Sequence, residues 1–273
     1  MARHQYIAIT TDLGTNDHFV GVMKGVMLGI YPEAKVVDVN LQVNPFDIFD
    51  GAFNVLQAAR FFPPDTIHLV VVDPGVGSER RPIVARAFNQ RFVAPDNGVL
   101  SFLYEKEPTT EVVHVTADHY FLNPVSNTFH GRDVFAPLAA WLARGVEVTR
   151  LGDQITDFVR FATPQPKAEG ANTWKGAVLK VDRFGNLITN FTPGLAPQLF
   201  SANSPPFRLT VGQKIINQFR PNYAQGQPDE LFALVGSSDY LEIATNRGSA
   251  ARLLNAARGA EVTLQLGAQP AGT

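Results

Sequence analysis

Three short stretches of the chain put ionisable side chains where an apolar run stops. In ITTDLGTND, Asp12 follows the first β-rich run and Asp17 precedes a helical pattern. In VVVDPGVGSERRP (70–82), Asp73 closes a run of valines, and Arg80 stands seven residues on, beyond a glycine turn. In NTFHGRD, His130 comes immediately before a helix expected from about 132 to 144. In open α/β sheets, ligands sit in the crevice outside the carboxyl ends of the strands, so three carboxylates converge on one such edge. An imidazole at a helix N-terminus feels the positive pole, which disfavours its protonated form and leaves it able to accept a proton near neutral pH. Each residue also has a plain structural reading: Asp17 as the cap of its helix, Asp12 or Asp73 as a turn former, and His130 as a structural histidine. VAPDNG (93–98) reads as a tight turn, the only role assigned to Asp96 and Asn97. By spacing alone, Asp182, Arg183 and Asn186 around Phe184 in KVDRFGNLITN form a polar turn between strands.

Several other chemistries are excluded. There is no G-x-x-x-x-G-K-[ST], no G-x-G-x-x-G after a strand, no G-x-S-x-G and no H-E-x-x-H. The six histidines are scattered, and His114 and His119 lack a nearby carboxylate cluster, so no metal site is expected. With 23 basic and 25 acidic residues and no block of like charge, neither nucleic acid nor an anionic membrane has an electrostatic footprint. Cysteine is absent, which removes disulfides, thiolate metal sites and thiol nucleophiles. MARHQYIAITTD lacks the apolar core of a signal peptide, and no apolar run approaches membrane-spanning length. A soluble cytoplasmic protein is expected.

The elements that must position these residues follow from periodicity. Short β-rich runs at 6–10, 35–39, 67–72, 82–88 and 91–95 are interleaved with helical patterns at 17–30 and 47–62, which reads as an α/β N-terminal domain with a central sheet flanked by helices. Gly21, Gly25 and Gly29 share one face of the first helix and are expected to pack closely against the sheet. A stretch rich in Pro and Gly marks a linker at 161–173 between a domain at 1–160 and one at 174–273. The latter, with many short strands and one helical segment at 248–257, is expected to be a smaller all-β, barrel-like C-terminal domain.

Taken together, TTDLGTNDHFVGVMKG, VVVDPGVGSERRP, FVAPDNGVL, NTFHGRDVFAP, VDRFGNLITN and GSSDYLEIATN resemble, in order and spacing, the S-adenosylmethionine hydroxide adenosyltransferases, or S-adenosylmethionine hydrolases, relatives of the fluorinating and chlorinating enzymes. The likeness spans about 6 to 266. It implies a homotrimer with active sites between one subunit's N-terminal domain and a neighbour's C-terminal domain. It further implies attack of water on ribose C5′ of S-adenosylmethionine, giving adenosine and L-methionine, with the metabolite as substrate and neither metal nor redox cofactor. Two alternatives stand beside it: a halide-dependent adenosyltransferase, and a non-catalytic protein that binds adenosine or S-adenosylmethionine.

By this resemblance Asp73, Arg80 and His130 handle the water, and either Asp73 or His130 takes its proton. Asp12 corresponds to the aspartate that grips the ribose hydroxyls. Asp17 and Asp182 correspond to carboxylates around the methionine ammonium, and Ser237 to a contact with the methionine portion. Asn186 matches the adenine-reading asparagine, while Phe46 and Phe184 match aromatic walls. The chain departs from halogenating relatives at Phe19, where they carry serine, in its shorter DRFGN turn, and at Asp73 and His130, where they carry tyrosine and serine.

Overall fold

The valine run ending at Asp73 becomes the middle of a sheet. In the computed structural model, which describes residues 6–200 and 205–267, the chain begins β1 (Tyr6–Thr11), α1 (Phe19–Ile30), β2 (Lys35–Asn40), α2 (Ile48–Ala59) and β3 (Ile67–Val71). It continues with β4 (Pro82–Ala87), β5 (Gln90–Pro95), α3 (Ser101–Lys106), β6 (Glu111–His114), α4 (Ala136–Ala143) and β7 (Gln154–Ile155). These strands form one sheet in the order β2-β1-β3-β5-β4-β6-β7. The β2-β1-β3-β5 part is parallel, and β4, β6 and β7 add antiparallel.

Every residue of β3 is buried, as expected of a parallel strand covered on both faces. Alternate side chains then go to opposite layers. Ile67, Leu69 and Val71 join the core of Met23, Met27 and Leu138 from α1 and α4. Val70 and Val72 join that of Val55, Ala59 and Leu103 from α2 and α3.

The expected packing of Gly21, Gly25 and Gly29 is overturned. All three are exposed, and a Cβ at any of them would meet nothing within 4 Å. Val20, Met23 and Met27 take the inward face instead, because apolar side chains decide which stripe of a helix is buried. Close helix–sheet approach occurs at Gly51 of α2, where a Cβ would lie 3.0 Å from Val72 Cγ2.

His68, on the α2 side of β3, is 1% exposed, stacks on Phe92 at 4.6 Å, and bonds Gln90 Oε1 through Nε2 at 3.0 Å. Burial lowers its pKa to about 4, against the Gln90 bond that raises it. An unfolded histidine titrates near 6.5, so between pH 6.5 and 4 the unfolded chain binds more protons and stability falls as pH falls. Urea melts should show a loss of about 2 kcal/mol between pH 7 and pH 5 that His68→Gln removes; an unchanged pH slope in that variant would refute the assignment.

The described residues divide into two units between Thr163 and Pro164. Within 161–173, Phe161 stacks on Phe49 of the first unit at 5.4 Å, whereas β8 (Lys167–Gly170) is a strand of the second. That unit continues with β9 (Thr173–Val181), β10 (Leu187–Thr189), β11 (Phe207–Val211), β12 (Lys214–Ile216), β13 (Phe232–Val235), β14 (Leu241–Ala244), α5 (Ala250–Leu254) and β15 (Glu261–Leu266). Its strands run β12-β11-β15-β9-β10-β14-β13, all antiparallel, with β8 beside β9, and curl into a nearly closed, barrel-like sheet. Alternation in β11 puts Phe207, Leu209 and Val211 into the core with Val262 and Leu264. Among the described residues, no helix is long and apolar enough to cross a membrane.

Candidate active site

Asp12 and Asp73 emerge past the carboxyl ends of the adjacent parallel strands β1 and β3. After Asp73, the chain turns through Gly77 (φ +81°), where a Cβ would also collide with the Asn127 carbonyl oxygen, so only glycine fits. This turn returns Arg80 to Asp73. Arg80 Nε lies 3.0 Å from both carboxylate oxygens, and Nη2 lies 2.5 Å from Oδ2. The same Nη2 lies 2.6 Å from His130 Nδ1, and the guanidinium sits 5.1 Å from the centre of the Phe135 ring.

His130 precedes a π-helical turn, Gly131–Phe135, that leads into α4; wide turns of this kind recur at functional sites. A guanidinium has only donors, so Nδ1 must be the acceptor and the neutral ring carries its proton on Nε2. The pKa of His130 is lowered, by burial first and by the Arg80 charge second, with Asp73 and Asp133 opposing. The direction is the one expected for an imidazole at a helix N-terminus, and burial and the Arg80 charge are causes that the helix pole did not include.

Asp12, Phe46, Asp73 and His130 line one cavity of about 280 Å³, together with Phe19, Val76 and Thr128. Arg80 does not line it. Asp12 Oδ2 accepts the Phe46 N–H at 2.8 Å. Burial raises the Asp12 pKa, the backbone N–H bonds lower it, and Asp73 adds to the rise. Phe46 is 73% exposed and is held at φ +65°, a backbone conformation that costs energy in a non-glycine residue and concentrates at ligand clamps. Asp17 is not brought in: it is exposed, does not line this cavity, and does not cap α1, whose N-cap is His18 without a side-chain bond.

The other expected residues meet in the second unit. Asp182, Phe184, Asn186 and Ser237 line a cavity of about 890 Å³. The β9–β10 turn is the polar turn expected: Asp182 Oδ1 accepts the Phe184 and Asn186 N–H groups at 2.9 and 2.8 Å, and Oδ2 accepts Asn186 Nδ2 at 2.8 Å. That last bond fixes which way the amide faces and leaves its Oδ1 to accept from a ligand. Phe184 is 76% exposed. Among the described residues, no group of three or more His, Asp or Glu could hold a metal ion.

Two cavities, each lined by turns at strand ends, accompany a match along most of the chain. The family model described as SAM hydroxide adenosyltransferase N-terminal domain matches residues 7–152, and that of the C-terminal domain matches 176–263. The chain belongs to the SAM hydroxide adenosyltransferase family. It is 36% identical to a protein of Salinispora arenicola over 98% of this chain and 100% of the relative, and 33% identical to one of Methanocaldococcus jannaschii over 91% of each. Both are named (R)-S-adenosyl-L-methionine hydrolase. A fluorinase of Actinoplanes sp. is 28% identical over 94% of this chain and 96% of the relative. The crystal structure of an uncharacterized conserved protein from Thermotoga maritima superposes with a TM-score of 0.88 at 36% identity, covering 95% of this chain and 99% of that one.

In this member of the family, some polar residues have more to do than their sequence context suggested. Asp96 is buried and ion-pairs with Arg81 at 2.6 Å, and Asn97 donates to the Val72 carbonyl at 2.9 Å, bracing the strand end that carries Asp73. Thr128 and Val76 of the smaller cavity, and Glu242, Tyr223 and Thr245 of the larger, were not anticipated. For Glu242 a signal existed: a carboxylate inside the apolar strand YLEIA is costly unless something pairs with it.

Proposed function

We propose that this chain hydrolyses S-adenosyl-L-methionine, with water attacking ribose C5′ to give adenosine and L-methionine. The observation that carries the reading is that Asp73 and His130, bridged by Arg80, line one cavity that also takes in Asp12, in a family whose relatives include named S-adenosylmethionine hydrolases. The oxygen–C5′ bond forms as the C5′–sulfur bond breaks, and the electron pair stays on sulfur as a neutral thioether that needs no proton. The proton lost by water goes to Asp73. His130 already carries hydrogen on Nε2 and lends Nδ1 to Arg80, so its ring acts as a donor that orients the water oxygen. Each Asp73 oxygen has two acceptor positions, so the bonds from Arg80 leave room for the water hydrogen. Arg80 acts through its two partners.

Asp12 grips the ribose hydroxyls, Phe46 walls the sulfonium, Phe184 and Asn186 take the adenine, and Asp182 and Ser237 stand by the methionine portion. The two half-sites are completed in a homotrimer, the first unit of one subunit serving with the second unit of a neighbour. No metal or redox cofactor enters this scheme, and the enzyme works in the cytoplasm. A fixed carboxylate at Asp73 repels a halide ion, which counts against the 5′-halo-adenosine alternative.

Chromatography of reactions with S-adenosylmethionine, with and without chloride or fluoride, should yield equal adenosine and methionine and no halogenated nucleoside. A 5′-halo-adenosine, or ligand retained stoichiometrically without methionine release, would overturn the reading. Protonating His130 would load Nδ1 and expel Arg80, so kcat/KM should fall on the acid side with a midpoint below the ordinary histidine value near 6.5. An acid limb centred above that value would contradict this arrangement.

A further inference from the structure

The carboxyl of Glu242 is a buried group that the scheme above leaves unused. It stands on β14 opposite Ile188 of β10 and Leu234 of β13. The residue is 5% exposed, and its Oε2 accepts the Tyr223 hydroxyl at 2.9 Å. Gly236 makes room for it, since a Cβ there would collide with Glu242 Oε1. Glu242 lines the larger cavity with Asp182 and Ser237. So does Thr245, 3% exposed, whose buried Oγ1 has no hydrogen-bond partner among the described residues.

Neither Glu242 nor Asp182 has an ion-pair partner among the described residues. Arg247 and Arg252 line the same cavity but are exposed and pair with neither carboxylate. Burial, with the Asp182 charge adding to it, holds the Glu242 carboxyl above its ordinary range, against the Tyr223 bond. Two carboxylates facing one cavity are costly until a cation joins them.

We propose that Glu242 is a substrate-binding residue that takes the α-ammonium at the amino-acid end of the ligand; the inference rests on the hydrolase reading above. The adenine amine is the poorer candidate, being neutral and already matched by the Asn186 amide oxygen. The ammonium brings the missing charge. Glu242 also packs on Gly236, next to Ser237 in the β13–β14 turn, on the side assigned to the methionine portion.

The test compares kcat/KM for S-adenosylmethionine with that for its 2-oxo analogue, in which a keto group replaces the ammonium while sulfonium and carboxylate remain. Glu242→Gln keeps an acceptor for Tyr223 and removes the charge. The preference for S-adenosylmethionine should fall about 10- to 100-fold, mainly through KM, as for a charge-assisted hydrogen bond lost. Gly236→Ala, which displaces the carboxyl while keeping its charge, should lower the same ratio. A structural role would depress both substrates together; an unchanged ratio in Glu242→Gln overturns the inference while a wild type active on S-adenosylmethionine keeps the hydrolase reading. A wild type inert toward both compounds overturns that reading and this inference with it.

Discussion

Asp73→Asn is expected to lower kcat for S-adenosylmethionine cleavage by about 10²- to 10⁴-fold, the usual contribution of a positioned base, while KM changes little. The carboxamide keeps the size of the side chain but has no useful basicity, and it turns N–H donors toward the donors of Arg80. His130 does not substitute, because Nδ1 is occupied as acceptor and Nε2 already bears its hydrogen. Single-turnover kinetics with a parallel binding measurement would check this. A kcat within a few-fold of wild type would return the base role to the imidazole.

Arg80→Met is expected to destabilise the first unit by about 3 to 5 kcal/mol, the range for breaking a buried ion pair from one side. The Arg80 and Asp73 side chains are only 9% and 5% exposed, so the orphaned carboxylate finds little water to replace the guanidinium. Turnover should collapse as well, since the imidazole loses the donor that sets its tautomer. Adding Asp73→Asn to this variant should restore part of the stability, because the stranded charge goes with it. Urea midpoints of the single and double variants would decide the matter, and a loss under about 1 kcal/mol in the single variant would show that the pair is not buried in the sense used here.

Much of this was legible in the sequence wherever burial is written as a period. The unbroken apolar run of β3 and the alternation in β11 named their own elements, and Asp12, Asp73 and His130 were visible as polar residues at the ends of such runs. Periodicity failed where it fixes a stripe without saying which way the stripe faces. The glycines of α1 lie on one line, but the methionines on another line took the core. Partners distant in sequence were also out of reach: Asp96 looked like half of a turn because Arg81 lies fifteen residues back, across a hairpin. Arg80 likewise reaches His130 from fifty residues away, a grouping that only the family resemblance had indicated and that no periodicity carries. Asp17 sat in a capping context, yet the helix starts beyond it without a side-chain cap.

The contact between Gly77 and the Asn127 carbonyl oxygen has a mechanical consequence. The loop bearing Asp73 and Arg80 touches, main chain to main chain, the segment that delivers Thr128, Phe129 and His130. No side chain stands between them to act as a cushion. A bulkier residue at 77 would pry apart both walls of the smaller cavity at once, so the spacing of Asp73 and His130 depends on backbone thickness as well as on the guanidinium that bridges them.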